Sequence, residues 1–238
     1  RATLNDILPQ ANELGYAVPG FVCLGWEDAR AYVSAAEAER APVILQAGPS
    51  CRAHTPLPVL AAMFLHLADA ASVPVVAHLD HGQSLAECEE ALQCGFTSVM
   101  YDGSRLPLDD NIAQTKAVVE LARQFGASCE GELGFVGYAD GAASAGTDPD
   151  EVGPFVTETG VDALAVSVGN VHLQTSSSQE IDKERLTAKP SAVGHSRGVR
   201  PLRERTSSAG DPNIRRQNQC RNGTAPSFRT SHQGCLVR

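Results

Sequence analysis

The 238-residue chain is 42% hydrophobic, 5% aromatic and formally −9 at pH 7, the balance of an ordinary globular protein with room for one large α/β domain or two small ones. Its longest apolar stretch, Pro58 to Ala71, is broken by His66 and Asp69 and falls short of the roughly 18 residues a membrane span needs. No membrane segment or signal peptide is expected, Arg1 reads as a fragment or processed end, and seven cysteines without a C-x-x-C pair point to free thiols in a reducing cytoplasm.

From residue 3 to 168 strand-like and helix-like segments alternate. Thr3 to Gly15 reads as a helix, Tyr16 to Cys23 as a strand and the Ala- and Glu-rich Trp26 to Arg40 as a helix. Val43 to Ala47 is a second strand, Pro56 to Ala71 a helix and Val73 to Leu79 a third strand. Ser84 with Glu87 three residues on gives a capping-box start for a helix to Cys94, stopped by Gly95. Thr97 to Tyr101 is a strand, Leu108 to Phe125 a helix closed by Gly126, and Ser128 to Leu133 a strand. After a Gly- and Ala-rich loop from Gly134 to Thr147 come a helix, Pro149 to Thr159, and a sixth strand, Ala163 to Val168. Six β-then-α units imply a parallel sheet with right-handed crossovers. No G-x-G-x-x-G follows the first strand, and the unit length suits a TIM-type (β/α) barrel better than an open doubly wound sheet.

Beyond residue 187 the pattern stops. Residues 1–187 carry nine basic and 26 acidic side chains, a balance of −17, whereas 188–238 carry ten and two, a balance of +8. Only seven tail positions are Val, Ile, Leu or Phe, and arginine outnumbers lysine nine to one. The expected division is an incomplete barrel of about six β/α units over 1–187 and a basic, irregular tail over 188–238, out of frame or unrelated to what precedes it.

The chemistry is expected where the parallel strands end. The third strand, V-P-V-V-A-H-L-D-H-G, runs from β-branched residues into His78, Asp80 and His81. The fourth ends at Asp102, the fifth supplies Glu130 and Glu132, and the sixth leads to Gly169-Asn170-Val171-His172. In a barrel these ends share one rim, and two imidazoles with two carboxylates are ligand types suited to zinc. Each has a plainer reading: Asp102 before Gly103-Ser104 can make an Asx turn, Glu132 can be a rim charge, and His172 a polar residue satisfied by a neighbour. Their coincidence on four consecutive strands favours function. His78, alternating with Asp80, is a candidate supporting partner, while His54 and His66 are read as structural. Lys116, Lys183 and Lys189 all lie away from strand ends, which argues against a Schiff-base lysine and for an electrophilic metal.

The segments A-H-L-D-H-G at 77–82, Y-D-G-S at 101–104, E-G-E-L-G at 130–134 and V-G-N-V-H at 168–172 resemble the class II, zinc-dependent ketose-bisphosphate aldolases. The resemblance covers about residues 3–187. It implies cleavage of fructose or tagatose 1,6-bisphosphate to dihydroxyacetone phosphate and glyceraldehyde 3-phosphate. It implies Asp80 as the proton carrier, His81 and His172 as zinc ligands, and Asp102 and Glu132 as supporting groups or an alternative metal site. It also implies Asp140, in G-Y-A-D-G, as a second acid where the family usually has Glu. Zn2+ is the implied cofactor, with a monovalent cation as a further candidate. The partners are a phosphorylated sugar and, if the barrel is complete, further copies of the chain in a homodimer or tetramer.

The family's H-G-G-S-G motif on the seventh strand is missing; His195, in G-H-S-R-G, lacks both its glycines and its strand. The final Asn-rich phosphate-binding segment is missing too. The alternative is therefore an inactive fragment lacking the third zinc ligand and the phosphate loops. Nucleic-acid binding by the Arg-rich tail is not expected, because no aromatic interleaving or recognition motif accompanies it.

Overall fold

The computed structural model describes residues 1–137, 143–170, 172 and 181–187, with the backbone of 236–237. Helix α1 (Leu4–Leu14) starts where the Asp6 carboxylate accepts the Thr3 N–H at 2.7 Å and ends at Gly15 in the left-handed conformation. The regular alternation then runs β1 (Gly20–Val22), α2 (Trp26–Glu39), β2 (Val43–Ala47), α3 (Pro49–His54), α4 (Leu57–Ala70), β3 (Val75–Gly82), α5 (Leu85–Gln93), β4 (Ser98–Tyr101), α6 (Leu108–Gln124), β5 (Ser128–Leu133), α7 (Pro149–Thr159) and β6 (Ala163–Val166). A short α8 (Lys183–Thr187) and a two-residue β7 (Leu236–Val237) follow.

β1 to β6 lie side by side in chain order and pair in parallel throughout, the expected α/β arrangement. β7 pairs antiparallel with β6, Val237 opposite Leu164 and Leu236 opposite Ala165. The rest of the expected tail, His195 included, lies outside the described residues.

The six-residue α3 was not expected from the sequence; it is too short for an apolar period to emerge, and only Pro49 at its start marks it. β1 is shorter than the expected Tyr16–Cys23, beginning after Pro19, which has no N–H to give a ladder. β3 begins after Pro74 and runs past Leu79 to Gly82, so the ionisable cluster belongs to the strand itself. Ser84 caps α5 as expected, its Oγ accepting from Glu87 N at 3.2 Å. The Glu87 carboxylate accepts from Gln83 N at 2.8 Å and pairs with Arg52.

The two faces of the sheet differ. Val75, Ala77 and Leu79 face outward and join Val43, Leu45 and Val99 in a core with Val33 of α2, Phe64 of α4, Leu92 of α5 and Val118 of α6. Inward, Val76 and Ile44 meet Leu4, Ile7 and Leu8 of α1, which plugs one end. Ala163 of β6 belongs to the same inner cluster as Ile44 of β2. Four strand spacings in a flat sheet would separate them by about 19 Å, so the sheet must curl into the arc of a barrel. Further along the inner face come the buried polar side chains Gln46, His78, Ser98, Ser128 and Glu130, then the carboxyl-end rim. No described helix is long and apolar enough to cross a membrane.

Candidate metal centre

In an unbroken strand, Asp80 and His81 would project to opposite faces. The β3–β4 register jumps between Leu79 and Gly82, and His81 takes φ +54°, a conformation uncommon for a residue with a side chain. The result brings both side chains to the mouth, with Asp80 Oδ1 3.7 Å from His81 Nε2. The turn needs glycine next: a Cβ on Gly82 would lie 2.8 Å from the Met100 carbonyl and 2.9 Å from Cys88 Sγ.

Around His81 the neighbouring strands deliver carboxylates. Its Nδ1 is 2.8 Å from Asp102 Oδ2, just past β4, and 3.4 Å from Glu132 Oε2 on β5. His81, Asp102 and Glu132 each offer a ligand atom, and the three atoms lie within 4.8 Å of one another. The His172 ring sits edge-on to His81, with centroids 5.3 Å apart. Asp102 performs two tasks at once. Its Oδ1 accepts from Ser104 N at 3.1 Å and Ser104 Oγ at 2.6 Å, the turn read from the sequence, while Oδ2 faces His81. Glu132 is 2% exposed, so it is no solvated rim charge, and its Oε2 has no hydrogen-bond partner.

Burial works against the His81 imidazolium, yet the hydrogen bond with Asp102 and the charges of Asp80, Glu132 and Asp102 outweigh it and raise its pKa to about 9. Burial, then the neighbouring charge of Asp102, pushes Glu132 up to about 8. For Asp102, burial is overcome by hydrogen bonds from His81 and Ser104, and the carboxyl is held well below its usual range. Burial first and the His81 charge second lower His172. Three carboxyl groups, those of Asp80, Asp102 and Glu132, crowd one imidazole, and the buried Glu132 Oε2 has no hydrogen-bond partner among them. A divalent cation fits this donor set.

His78 does not support Asp80. Its Nδ1 is 2.8 Å from Ser98 Oγ and its Nε2 3.3 Å from Glu130 Oε2, all deeper inside the arc. It points inward one residue pair below Asp80, and it meets its register partner Ser98 on β4 and, two positions beyond the Ser98–Ser128 pairing, Glu130 on β5. His54, exposed beside Thr55, and His66, near the Trp26 ring, stay outside the cluster, as expected. Asp140 lies outside the described residues, but the neck of its loop is described: Phe135 and Ala145 pair through two backbone hydrogen bonds, and Gly137 O accepts from His172 N at 2.7 Å. The second metal-candidate imidazole is thus tied by its backbone to the loop after β5.

Sequence reading missed Arg52. This α3 residue follows the second strand's end, and it is the one arginine between Arg40 and Arg105, which was the available signal. Its guanidinium reaches the carbonyls of Ala47, Asp80 and His81.

Comparison with known proteins identifies the family. The family described as fructose-bisphosphate aldolase class-II matches residues 2–202. The fructose-bisphosphate aldolase of Rhizobium meliloti is 41% identical over 196 residues, covering 72% of this chain and 55% of that protein. A Bacillus licheniformis 6-phospho-5-dehydro-2-deoxy-D-gluconate aldolase is 40% identical over 178 residues, covering 71% and 60%. Among solved structures, the YdjI aldolase of Escherichia coli K12 superposes with a TM-score of 0.68 at 30% identity, covering 78% of this chain and 66% of that one. A putative fructose-1,6-bisphosphate aldolase of Coccidioides immitis gives 0.69 at 29% identity, covering 77% and 67%. This chain therefore spans little more than half the length of the two curated relatives.

Proposed function

Since the chain belongs to the class II fructose-bisphosphate aldolase family, we propose that its carboxyl-end cluster is a zinc site serving reversible aldol cleavage of a phosphorylated ketose. The observation that carries this reading is the convergence of His81, Asp102 and Glu132, with His172 beside them, around a buried Glu132 Oε2 that has no hydrogen-bond partner. His81 and His172 are the proposed nitrogen ligands. Glu132 would be an additional oxygen donor, and Asp102, 2.8 Å from Nδ1, would orient the His81 ring. When bound, zinc would supply an electrophile for the ketose carbonyl and the charge that builds on it during cleavage.

The protein's own groups supply the proton movements. Asp80, 5% exposed at the mouth, takes the proton of the C4 hydroxyl as the C3–C4 bond breaks and returns it in condensation. Asp140 is carried as the second acid, acting at the carbon of the nascent dihydroxyacetone phosphate. It is one methylene shorter than Glu, and about 1 Å of misplacement can cost on the order of 100-fold in rate.

Fructose 1,6-bisphosphate is the first substrate to test, and tagatose 1,6-bisphosphate the second. The Bacillus licheniformis relative adds 6-phospho-5-dehydro-2-deoxy-D-gluconate as a third. The experiment measures bound zinc per chain and triose phosphate release from each sugar, with and without a chelator. Chelator-sensitive release supports the proposal; cleavage that survives complete metal removal refutes it. A second reading, a zinc-binding portion without turnover, is motivated by the missing H-G-G-S-G motif, which in the resembled family carries the third zinc histidine. Stoichiometric zinc with no cleavage of any of the three sugars would select it.

A further inference from the structure

We infer that Arg52 is a positioning residue for the metal centre: its guanidinium holds the backbone carbonyls of Asp80 and His81 and so fixes the left-handed turn that aims both side chains into the mouth. This inference rests on the zinc-site reading proposed above.

A side-chain-bearing residue in the left-handed region is strained, and such a conformation persists only where its surroundings over-determine it. The sheet itself cannot do so here. The β2–β3 ladder ends at the pairing of Ala47 with Leu79, and the β3–β4 ladder passes from Leu79 to Gly82. Asp80 and His81 thus lie beyond one neighbour and inside the register jump of the other.

Arg52 fills that gap. Its Nη1 donates to Ala47 O and to Asp80 O, each at 2.5 Å, and its Nη2 donates to His81 O at 3.1 Å. One planar group therefore ties the last residue of β2 to the two chemical residues of β3. Glu87 holds the guanidinium from the other side, with Oε1 2.9 Å from Nη2. The other oxygen of Glu87 accepts from Gln83 N, so the chain leaving the turn is secured by the same pair. The Arg52 side chain is 8% exposed, which keeps water from competing for the three carbonyls. A fork of five donors in fixed geometry suits this task; a lysine ammonium on a flexible stem does not reproduce it.

The plainer alternative is that Arg52 serves only to join α3 to α5 through Glu87. Glu87→Gln separates the two, since it removes the ion pair but leaves the guanidinium free to hold the carbonyls. The test uses the full 238-residue chain. Zinc affinity is measured by competition with a chromophoric chelator, the His81 ring signals by NMR, and foldedness by thermal melting. Arg52→Met and Arg52→Lys should weaken zinc binding by roughly 10- to 100-fold and move the His81 signals. Glu87→Gln, removing a partly exposed ion pair, should stay within about 3-fold of the parent. If Arg52→Met melts below the working temperature, Arg52→Ala is titrated with methylguanidinium instead. Saturable recovery of the His81 signals and of zinc affinity supports the inference, and recovery of melting alone overturns it.

Parent-like zinc affinity and unmoved His81 signals in both Arg52→Met and Arg52→Lys would overturn it. So would a Glu87→Gln loss as large as theirs. His81→Ala is the control for the reading beneath: if it loses zinc while the Arg52 variants do not, only the role of Arg52 falls. If His81→Ala itself binds zinc as the parent does, the zinc-site reading has failed first.

Discussion

His81 Nδ1 and Asp102 Oδ2 stand 2.8 Å apart, and the other oxygen of Asp102 is pinned by both the backbone and the hydroxyl of Ser104. The carboxylate is thereby fixed on one side and fixes an imidazole on the other. Asp102→Asn keeps the shape and removes the charge; it should weaken zinc binding by about 10- to 100-fold and also lower the melting temperature of the chelator-treated protein, because the charged pairing with His81 is lost. Competition against a chromophoric chelator measures it; parent-like affinity would mean that Asp102 neither orients nor coordinates.

Asp80 and His81 are adjacent yet should fail differently. Asp80→Ala should leave zinc bound and abolish sugar cleavage, because it removes the proposed proton acceptor and no proposed ligand. His81→Ala should lose the metal. Zinc analysis of both purified variants decides the roles, and retention of metal by both would reverse the assignment.

The metal-free protein should lose stability as pH rises through the neutral range. Glu132, raised from 4.5 to about 8, holds its proton more tightly folded than unfolded, so its contribution is complete below about 4.5 and lost as pH climbs to about 8. His81, raised from 6.5 to about 9, acts in the same direction over that higher window. Asp102, lowered, contributes above its unfolded pKa and is lost only on strong acidification. Melting temperatures of chelator-treated protein from pH 5 to 9 should therefore fall, and the rise on adding zinc should grow with pH as the ion displaces these protons. A flat metal-free profile across that range would contradict the electrostatics of the cluster.

Gly82→Ala should disturb the site from behind. The added Cβ would meet the Met100 carbonyl at 2.8 Å and Cys88 Sγ at 2.9 Å, inside the β3–β4 pairing. Overpacking of this kind costs about 1–3 kcal/mol, and the backbone that yields is the stretch carrying Asp80 and His81. Chemical denaturation should show that loss together with weakened zinc binding; a stability loss with unchanged zinc affinity would show that the turn and the strand relax independently.

By itself the sequence determined the alternation of elements, because each amphipathic helix and each β-branched run is a local pattern of apolar spacing. It also indicated which residues stand at strand ends, since Asp80, His81, Asp102 and Glu132 directly end or follow such runs. Short or glycine-free features escaped it: α3 has six residues, and the left-handed His81 follows an ordinary-looking strand. Only the tertiary structure decided which of these groups meet. Curling brings the His81 and His172 rings to 5.3 Å, where the three steps from β3 to β6 in a flat sheet would span about 14 Å. The same curvature sends His78 to Glu130 rather than to Asp80, while the end of the β2–β3 ladder and the β3–β4 register jump leave three carbonyls within reach of Arg52. Periodicity along a chain reports which face a side chain takes; the distance between two faces is set by how neighbouring strands pack and twist, which no local pattern contains.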